Sequence, residues 1–191
     1  MEQQYIKGQL IEKQDYSESF LPNAEYDQCL FQNCDFSNND LSGFSFHNCV
    51  FVDCNFSLVK LIKTGFIKAK FKGCKLLGLH FDDCSSFIFS VDFEQCILNH
   101  SSFFQLKLKG TRFLNCRLLE VDFTECDLSG ASFEGSDLTG AHFDRSNLEK
   151  ADLSLATNFS IDPEINRLRN AKISISGLPG LLEKYGMNIL F

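Results

Sequence analysis

The sequence has no tryptophan, only three prolines among 191 residues, and no excess of basic residues. Eighteen Lys and Arg face 25 Asp and Glu, giving a net charge of -7 and a pI near 5.1. A general nucleic-acid binder needs a basic surface to neutralise phosphates, so direct nucleic-acid contact is not expected. No apolar run approaches the ~20 residues that span a bilayer, so no membrane partner is expected. The start, Met1-Glu2-Gln3-Gln4-Tyr5, lacks the charged and apolar segments of an export signal. G-x-S-x-G, H-E-x-x-H, P-loop and G-x-G-x-x-G patterns are missing too, so neither an enzyme nor a cofactor is expected. What is abundant is phenylalanine, with 21 copies, and cysteine, with nine. With 44% hydrophobic and 23% charged residues, a chain of 21.7 kDa suits one soluble globular domain. The odd cysteine count without an export signal makes a reducing cytoplasm the expected compartment.

The sequence repeats every five residues. Stepping by five from Ile6 gives Ile11, Tyr16, Leu21, Tyr26, Phe31, Phe36, Leu41, Phe46, Phe51, Phe56, Leu61, Phe66, Phe71, Leu76 and Phe81. The frame then slips by two and resumes from Ile88 as Phe93, Leu98, Phe103 and onward to Leu153. Two residues before these central positions runs a second, mostly small series that includes Cys29, Cys34, Cys54, Cys74, Cys96, Cys116, Ala131, Ser136 and Ala151. Neither a helix period of 3.6 nor a strand period of 2 produces this spacing. A short extended pair followed by a corner does, and four corners close a square of twenty residues. Coils of that length stack at the ~4.8 Å strand spacing, each supplying the backbone partners of the next. With 82–87 read as a two-residue bulge, Phe31, Phe51, Phe71, Phe93, Phe113 and Phe133 fall on one face and form an aromatic ladder.

This register gives the cysteines a structural reading. All nine lie in the small inward series, with Cys84 at the bulge, and a buried thiol there acts as a small hydrophobe. Stacked Cβ atoms near ~4.8 Å stand too far apart for the ~3.8 Å mean of a disulfide, and the five-residue cysteine spacings are not zinc spacings. The four histidines, His47, His80, His100 and His142, take outward places and read as solvated side chains.

The pattern resembles the pentapeptide-repeat family, whose repeat is small–Asp/Asn–Leu/Phe–Ser/Thr–Gly. Clear copies are Cys126-Asp127-Leu128-Ser129-Gly130, Ala131-Ser132-Phe133-Glu134-Gly135 and Ser136-Asp137-Leu138-Thr139-Gly140. The resemblance implies an all-β fold, a right-handed quadrilateral β-helix (the pentapeptide-repeat solenoid) with a short C-terminal helix and strand. The expected division is an N-terminal cap at 1–15, the β-helix at 16–157 with a bulge at 82–87, and a C-terminal cap and dimerisation segment at 158–191. In the last segment Asp162-Pro163-Glu164 reads as an N-cap and first helical turn through about Leu168. Ala171-Lys172-Ile173 reads as a last pentad, Leu178 to Tyr185 as a helix stopped by Gly186, and Met187 to Phe191 as an apolar strand.

The tail, from Asp162-Pro163-Glu164-Ile165-Asn166-Arg167 to Gly180-Leu181-Leu182-Glu183-Lys184-Tyr185-Gly186, is similar to that of the gyrase-protecting branch of the family. That branch holds the albicidin-resistance, microcin immunity and Qnr quinolone-resistance proteins. The likeness implies a cytoplasmic homodimer joined through the C-terminus, with Leu178, Leu181, Leu182, Tyr185, Met187, Ile189 and Leu190 at the interface. It implies a DNA mimic that binds DNA gyrase, with topoisomerase IV as a further candidate, and that protects the enzyme from antibiotics or toxins. The long projecting loops of the Qnr proteins are absent, and only the bulge, with Asp82 and Asp83, stands at a comparable place.

Charge placement fits that implication. Residues 118–153 hold Glu120, Asp122, Glu125, Asp127, Glu134, Asp137, Asp144, Glu149 and Asp152 against only Arg145 and Lys150. These acids fall on all four sides of the rod and form the expected gyrase-binding ring. Their thirty-six residues span about 9 Å of axis, over which duplex DNA carries about five charges. The plainer reading is that outward acids only solubilise a rod. Two basic stretches depart from a uniform mimic: Lys60, Lys63, Lys68, Lys70, Lys72 and Lys75, then Lys107, Lys109, Arg112 and Arg117. They read as a solvated face or as a second contact region. The alternative to a gyrase-binding protein is a structural or regulatory scaffold with another protein partner.

Overall fold

The computed structural model describes residues 4–187. Its described strands are β1 (Gln4–Lys7), β2 (Leu10–Glu12), β3 (Ala24–Asp27), β4 (Leu30–Gln32), β5 (Ser45–His47), β6 (Val50–Val52), β7 (Gly65–Ile67), β8 (Ala69–Lys72), β9 (Val91–Glu94) and β10 (Phe113–Leu114). They form two wholly parallel sheets, β1-β3-β5-β7 and β2-β4-β6-β8-β9-β10. Partners stand twenty residues apart, as in Tyr26↔Phe46 and Phe31↔Phe51, and twenty-two apart across the bulge, as in Phe71↔Phe93. The chain is thus a four-sided parallel β-solenoid. Its sides are called A to D after the inward residues Tyr26, Phe31, Phe36 and Leu41. The ladder already begins at Gln4↔Ala24, inside the segment expected as an N-terminal cap, and runs to Asp152↔Lys172.

The corners explain the period of five. Two residues after most central positions the backbone turns through positive φ: Asn33, Asn38 and Asn48 sit at 53°, 59° and 51°. Asn and Gly tolerate that region best, which is why they recur there. Gly73 shows a second reason, because a Cβ on it would collide with the Asp53 carboxylate. Sides C and D carry single bridge positions, Asp35↔Asn55 and Asp40↔Lys60, each followed by a β-turn such as Asn39 N–H to Phe36 O at 3.0 Å. After β10 every side of the described coils uses such turns, as in Ala131 N–H to Leu128 O and Ser136 N–H to Phe133 O, both 3.0 Å.

The core is a column of rings and small groups. On side B, Phe31, Phe51, Phe71, Phe93, Phe113 and Phe133 stack with centroids 4.9 to 5.4 Å apart. The small position is filled by thiols and hydroxyls in the same way. Cys74 Sγ donates to Phe51 O at 3.4 Å, and Ser136 Oγ donates to Phe113 O at 2.9 Å. Each bonds the carbonyl of the central residue one coil earlier, so the buried polar hydrogen is satisfied. All nine cysteines are free and buried, and desolvation pushes the thiols of Cys49 and Cys126 up to about 12. These two thiols are inert fillers at neutral pH.

Some expectations change at the irregular places. The bulge consists of two short 3-10 turns, Phe81–Asp83 and Ser86–Ile88. Beyond it Phe89 packs on the core, with its ring 6.0 Å from Phe81 and 6.5 Å from Phe66; the side chain of Ile88 lies outside the described set. Asp162-Pro163-Glu164 forms a turn rather than a helix, because Asp162 Oδ1 accepts the Glu164 N–H at 2.8 Å and Arg167 is already back in the ladder opposite Asn147. The expected helix from Leu178 is a single α-turn, α1 (Pro179–Leu182), extended by the 3-10 turn Glu183–Tyr185 and ended by Gly186 at φ 60°. The expected closing strand falls, beyond Met187, outside the described residues.

Candidate protein-interaction face

Outward residues on one side stack directly above one another, so a carboxylate's partner is the residue one coil away, not its sequence neighbour. This separates the nine ring acids. On side A, Asp127 lies opposite Lys107 in the backbone ladder and is hydrogen-bonded by Asn147 below at 3.0 Å, and Glu149 pairs with Arg167 at 2.8 Å. On side B, Asp152 pairs with Lys172 at 3.0 Å. On side C, Asp137 lies opposite Arg117 in the ladder; its hydrogen bond with Thr139, reinforced by Asn158, holds its carboxyl below the usual range. Glu134, on side B, is exposed with Leu114 and Ser154 as its neighbours in register. Arg167 and Lys172 lie outside residues 118–153, so the acids inside that segment are less bare than their count implies.

Side D differs. Below its stretch 60–63, which carries Lys60 and Lys63, the stretches 80–83, 101–104, 121–124 and 141–144 contain Asp82, Asp83, Asp122 and Asp144 and neither Lys nor Arg; Lys63 N–H donates to Asp83 O at 2.8 Å. The outward row runs His80↔Ser102↔Asp122↔His142. Asp122 Oδ1 accepts only the Thr124 backbone N–H, at 2.8 Å, among the described residues. Asp82 Oδ1 is buried without a hydrogen-bond partner among the described residues, 3.5 Å from His80 Nδ1. At the bordering corners Glu120 lies 3.2 Å from His100 Nδ1, and Glu125 accepts from Gln105 and Arg145, both at 2.8 Å. Those two bonds hold the Glu125 carboxyl below its ordinary range. Both corner glutamates occupy left-handed backbone, φ 53° and 58°, where Gly or Asn would be less strained. Phe104, 38% exposed, is the large apolar group these stretches expose among the described residues.

The lysine stretch 68–72 lies around the opposite corner and side. Lys72 pairs with Glu94 at 3.1 Å, and Asp92 Oδ1 accepts the Arg112 backbone N–H at 3.0 Å. Lys68, Lys70 and Lys109 border a groove of about 300 Å³ between sides A and B. Among the described residues no group of three His, Cys, Asp or Glu is placed to hold a metal ion.

At the C-terminal end, Leu178, Tyr185 and Met187 are exposed and Leu181 and Leu182 half-buried; Ile189 and Leu190 lie outside the described residues. A cleft of about 550 Å³ opens there, lined in part by Phe159, Pro179, Leu182 and Met187. The cap is pinned by polar contacts the pentad pattern does not reveal. Lys184 bridges Asp162 and Glu164 at 2.6 Å each, and Tyr185 Oη donates to Glu164 Oε1 at 2.7 Å.

The Pentapeptide repeat region model matches residues 24–86 and 85–153. The chain belongs to the pentapeptide-repeat family. A trypsin-treated form of QnrB1, a plasmid-mediated fluoroquinolone resistance protein, superposes with a TM-score of 0.70 at 16% identity, over 100% of both chains. A second trypsin-treated QnrB1 structure gives 0.57 at 18% identity over 98% of each. At such identity the likeness is one of fold. No curated protein sequence matches.

Proposed function

We propose that this pentapeptide-repeat protein is a non-enzymatic DNA mimic that binds the basic DNA-binding surface of DNA gyrase through side D, working as a homodimer joined at its C-terminal ends. The observation that carries this reading is the contrast between sides. Acids on A, B and C are mostly stacked against cations or amides, whereas from His80 to Asp144 side D carries Asp82, Asp83, Asp122 and Asp144 and neither Lys nor Arg, its lysines Lys60 and Lys63 standing in the coil above. Uncompensated carboxylates on a rigid rod steer and orient a basic partner. The apolar groups at the C-terminal end, Leu178 and Met187 foremost, suit burial against a second copy. Protection of gyrase from a drug or toxin is the physiological outcome this binding would serve in a cytoplasmic protein, with topoisomerase IV as a further candidate partner.

The test is a gyrase supercoiling assay titrated with the protein, with and without a gyrase poison. Inhibition or protection that D122K/D144K abolishes, with D127K/D152K less affected, is the expected result. No effect at any protein concentration would reject gyrase as the partner. The basic stretch Lys68 to Lys72 favours a second reading, a scaffold that holds another protein; gyrase-independent capture of one partner, lost on reversal of those lysines, would support it.

A further inference from the structure

The corners between sides A and B are left-handed with one exception. Every one from Gly8 to Lys68 and from Gly110 to Asn170 has positive φ, with Lys68 at 52° and Gly110 at 70°, whereas Ser90, which stands between those two, does not. The cause is the bulge, after which Phe89 packs on the core directly before this corner. A regular corner such as Asn48 donates its N–H to the coil below, to Ile67 O at 2.7 Å. Ser90 instead donates upward to Phe66 O at 2.8 Å, and its own carbonyl accepts from Ala69 N–H at 3.0 Å. This corner is drawn against the coil above, and the groove of about 300 Å³ lies here, with Lys68 and Lys70 in the coil above and Lys109 in the coil below. We infer that the groove is an anion site that binds a short chain of phosphate groups.

Charge and shape both point to that class. The lysine ion pairs among the described residues belong to Lys7, Lys72, Lys172 and Lys184, which leaves Lys68, Lys70 and Lys109 without one. Asp127, in the coil below Lys109, accepts instead from the Ser129 N–H at 3.1 Å and from Asn147 at 3.0 Å. One carboxylate lines the groove, that of Asp92 opposite Lys70, and its Oδ1 accepts the Arg112 backbone N–H at 3.0 Å. Three ammonium groups against this one carboxylate leave the lining at +2. A phosphate chain spreads several charges along its length, which matches ammonium groups carried by different coils, and lysine binds phosphate as a point charge. Ser90 and Thr111 are the hydroxyl-bearing residues of the lining, and a Cβ on Gly110 would meet no atom within 4 Å, so the space in front of it is open. At about 300 Å³ the groove is at the small end of ligand sites, which favours a few linked phosphates. The chain's net charge of -7 disfavours a long polyanion such as nucleic acid. The inference is independent of side D and of gyrase.

The experiment titrates inorganic tripolyphosphate, ATP and citrate in separate calorimetric runs. The proteins are the wild type, K68Q/K70Q/K109Q, S90F and a control, K60Q/K63Q/K75Q, all checked for equal urea midpoints. Saturable binding of one tripolyphosphate per chain is expected, weakened roughly tenfold in K68Q/K70Q/K109Q by the loss of three exposed charge contacts. S90F fills the groove without altering charge and should weaken binding similarly, whereas the control should stay within about twofold of the wild type. Tighter binding of ATP than of tripolyphosphate would assign the phosphate chain to a nucleotide, and the reverse to an inorganic oligophosphate; either supports the site. No saturable binding of either phosphate, an equal loss in the control, an unaffected S90F, or citrate bound as tightly as tripolyphosphate overturns the proposal.

Discussion

The coils above Gly78 and those below Leu98 solve one packing problem in two ways. In the upper coils 26–41 and 46–61 sides A, B and C all carry rings, as in Phe46, Phe51 and Phe56, and side D carries a leucine, Leu41 or Leu61. In the lower coils Phe lies on the opposite sides B and D, and Leu on A and C, as in Leu108, Phe113, Leu118 and Phe123. Upper rings meet at three successive sides, for example Phe51 edge-on to Phe56 with centroids 5.1 Å apart. Lower rings meet across the square, Phe113 to Phe123 at 5.5 Å and 78°. The backbone changes along the rod too: sides A and B are strands from Gln4 to Lys72, side B continues as Val91–Glu94 and Phe113–Leu114, and the coils below use hydrogen-bonded turns. The exterior changes too, from lysines around 60–75 to acids around 120–152.

Mutations can break this contrast. Phe103→Ala removes a ring stacked between Phe81 and Phe123, at 4.6 and 5.3 Å, and should destabilise by about 3–5 kcal/mol in urea unfolding. Phe56→Leu gives an upper layer the ring count of a lower one without its opposed arrangement. It should cost roughly 1–2 kcal/mol, and a neutral result would show that ring placement does not set the layer. Gly73→Ala combines positive φ with a blocked Cβ and should cost about 1–2 kcal/mol, read from the thermal midpoint. Leu58→Gly, at φ 60° and 63% exposed, should stabilise by up to about 1 kcal/mol in the same measurement.

Acid sensitivity sharpens the same comparison. The carboxyl of Asp137 is held low by Thr139 and Asn158, and that of Asp152 by Ser154 and Lys172. A depressed carboxyl stabilises the fold above its unfolded value and loses that contribution as pH falls through the folded one. Urea midpoints should therefore drop below about pH 4, and Asp137→Asn should flatten part of the drop.

The inward series was legible because its period is set by covalent spacing: Phe31 to Phe133 could be placed on one side by counting. The linear charge count was less informative. Glu125 with Arg145 and Asp152 with Lys172 are neighbours only because a coil is twenty residues long, and Glu149 finds Arg167 eighteen residues on. Counting within 118–153 therefore described a ring, whereas pairing between coils leaves bare carboxylates chiefly on side D. The clamp of Lys184 on Asp162 and Glu164 was hidden for the same reason, since it joins an irregular turn to a helix twenty residues later.

What the residues alone decided is the tube: one bulky and one small side chain in every five must turn inward, and no other periodic backbone buries both. Which charges cancel and which remain was decided only by stacking, because electrostatic neighbours are fixed by the distance between coils and not by position along the chain.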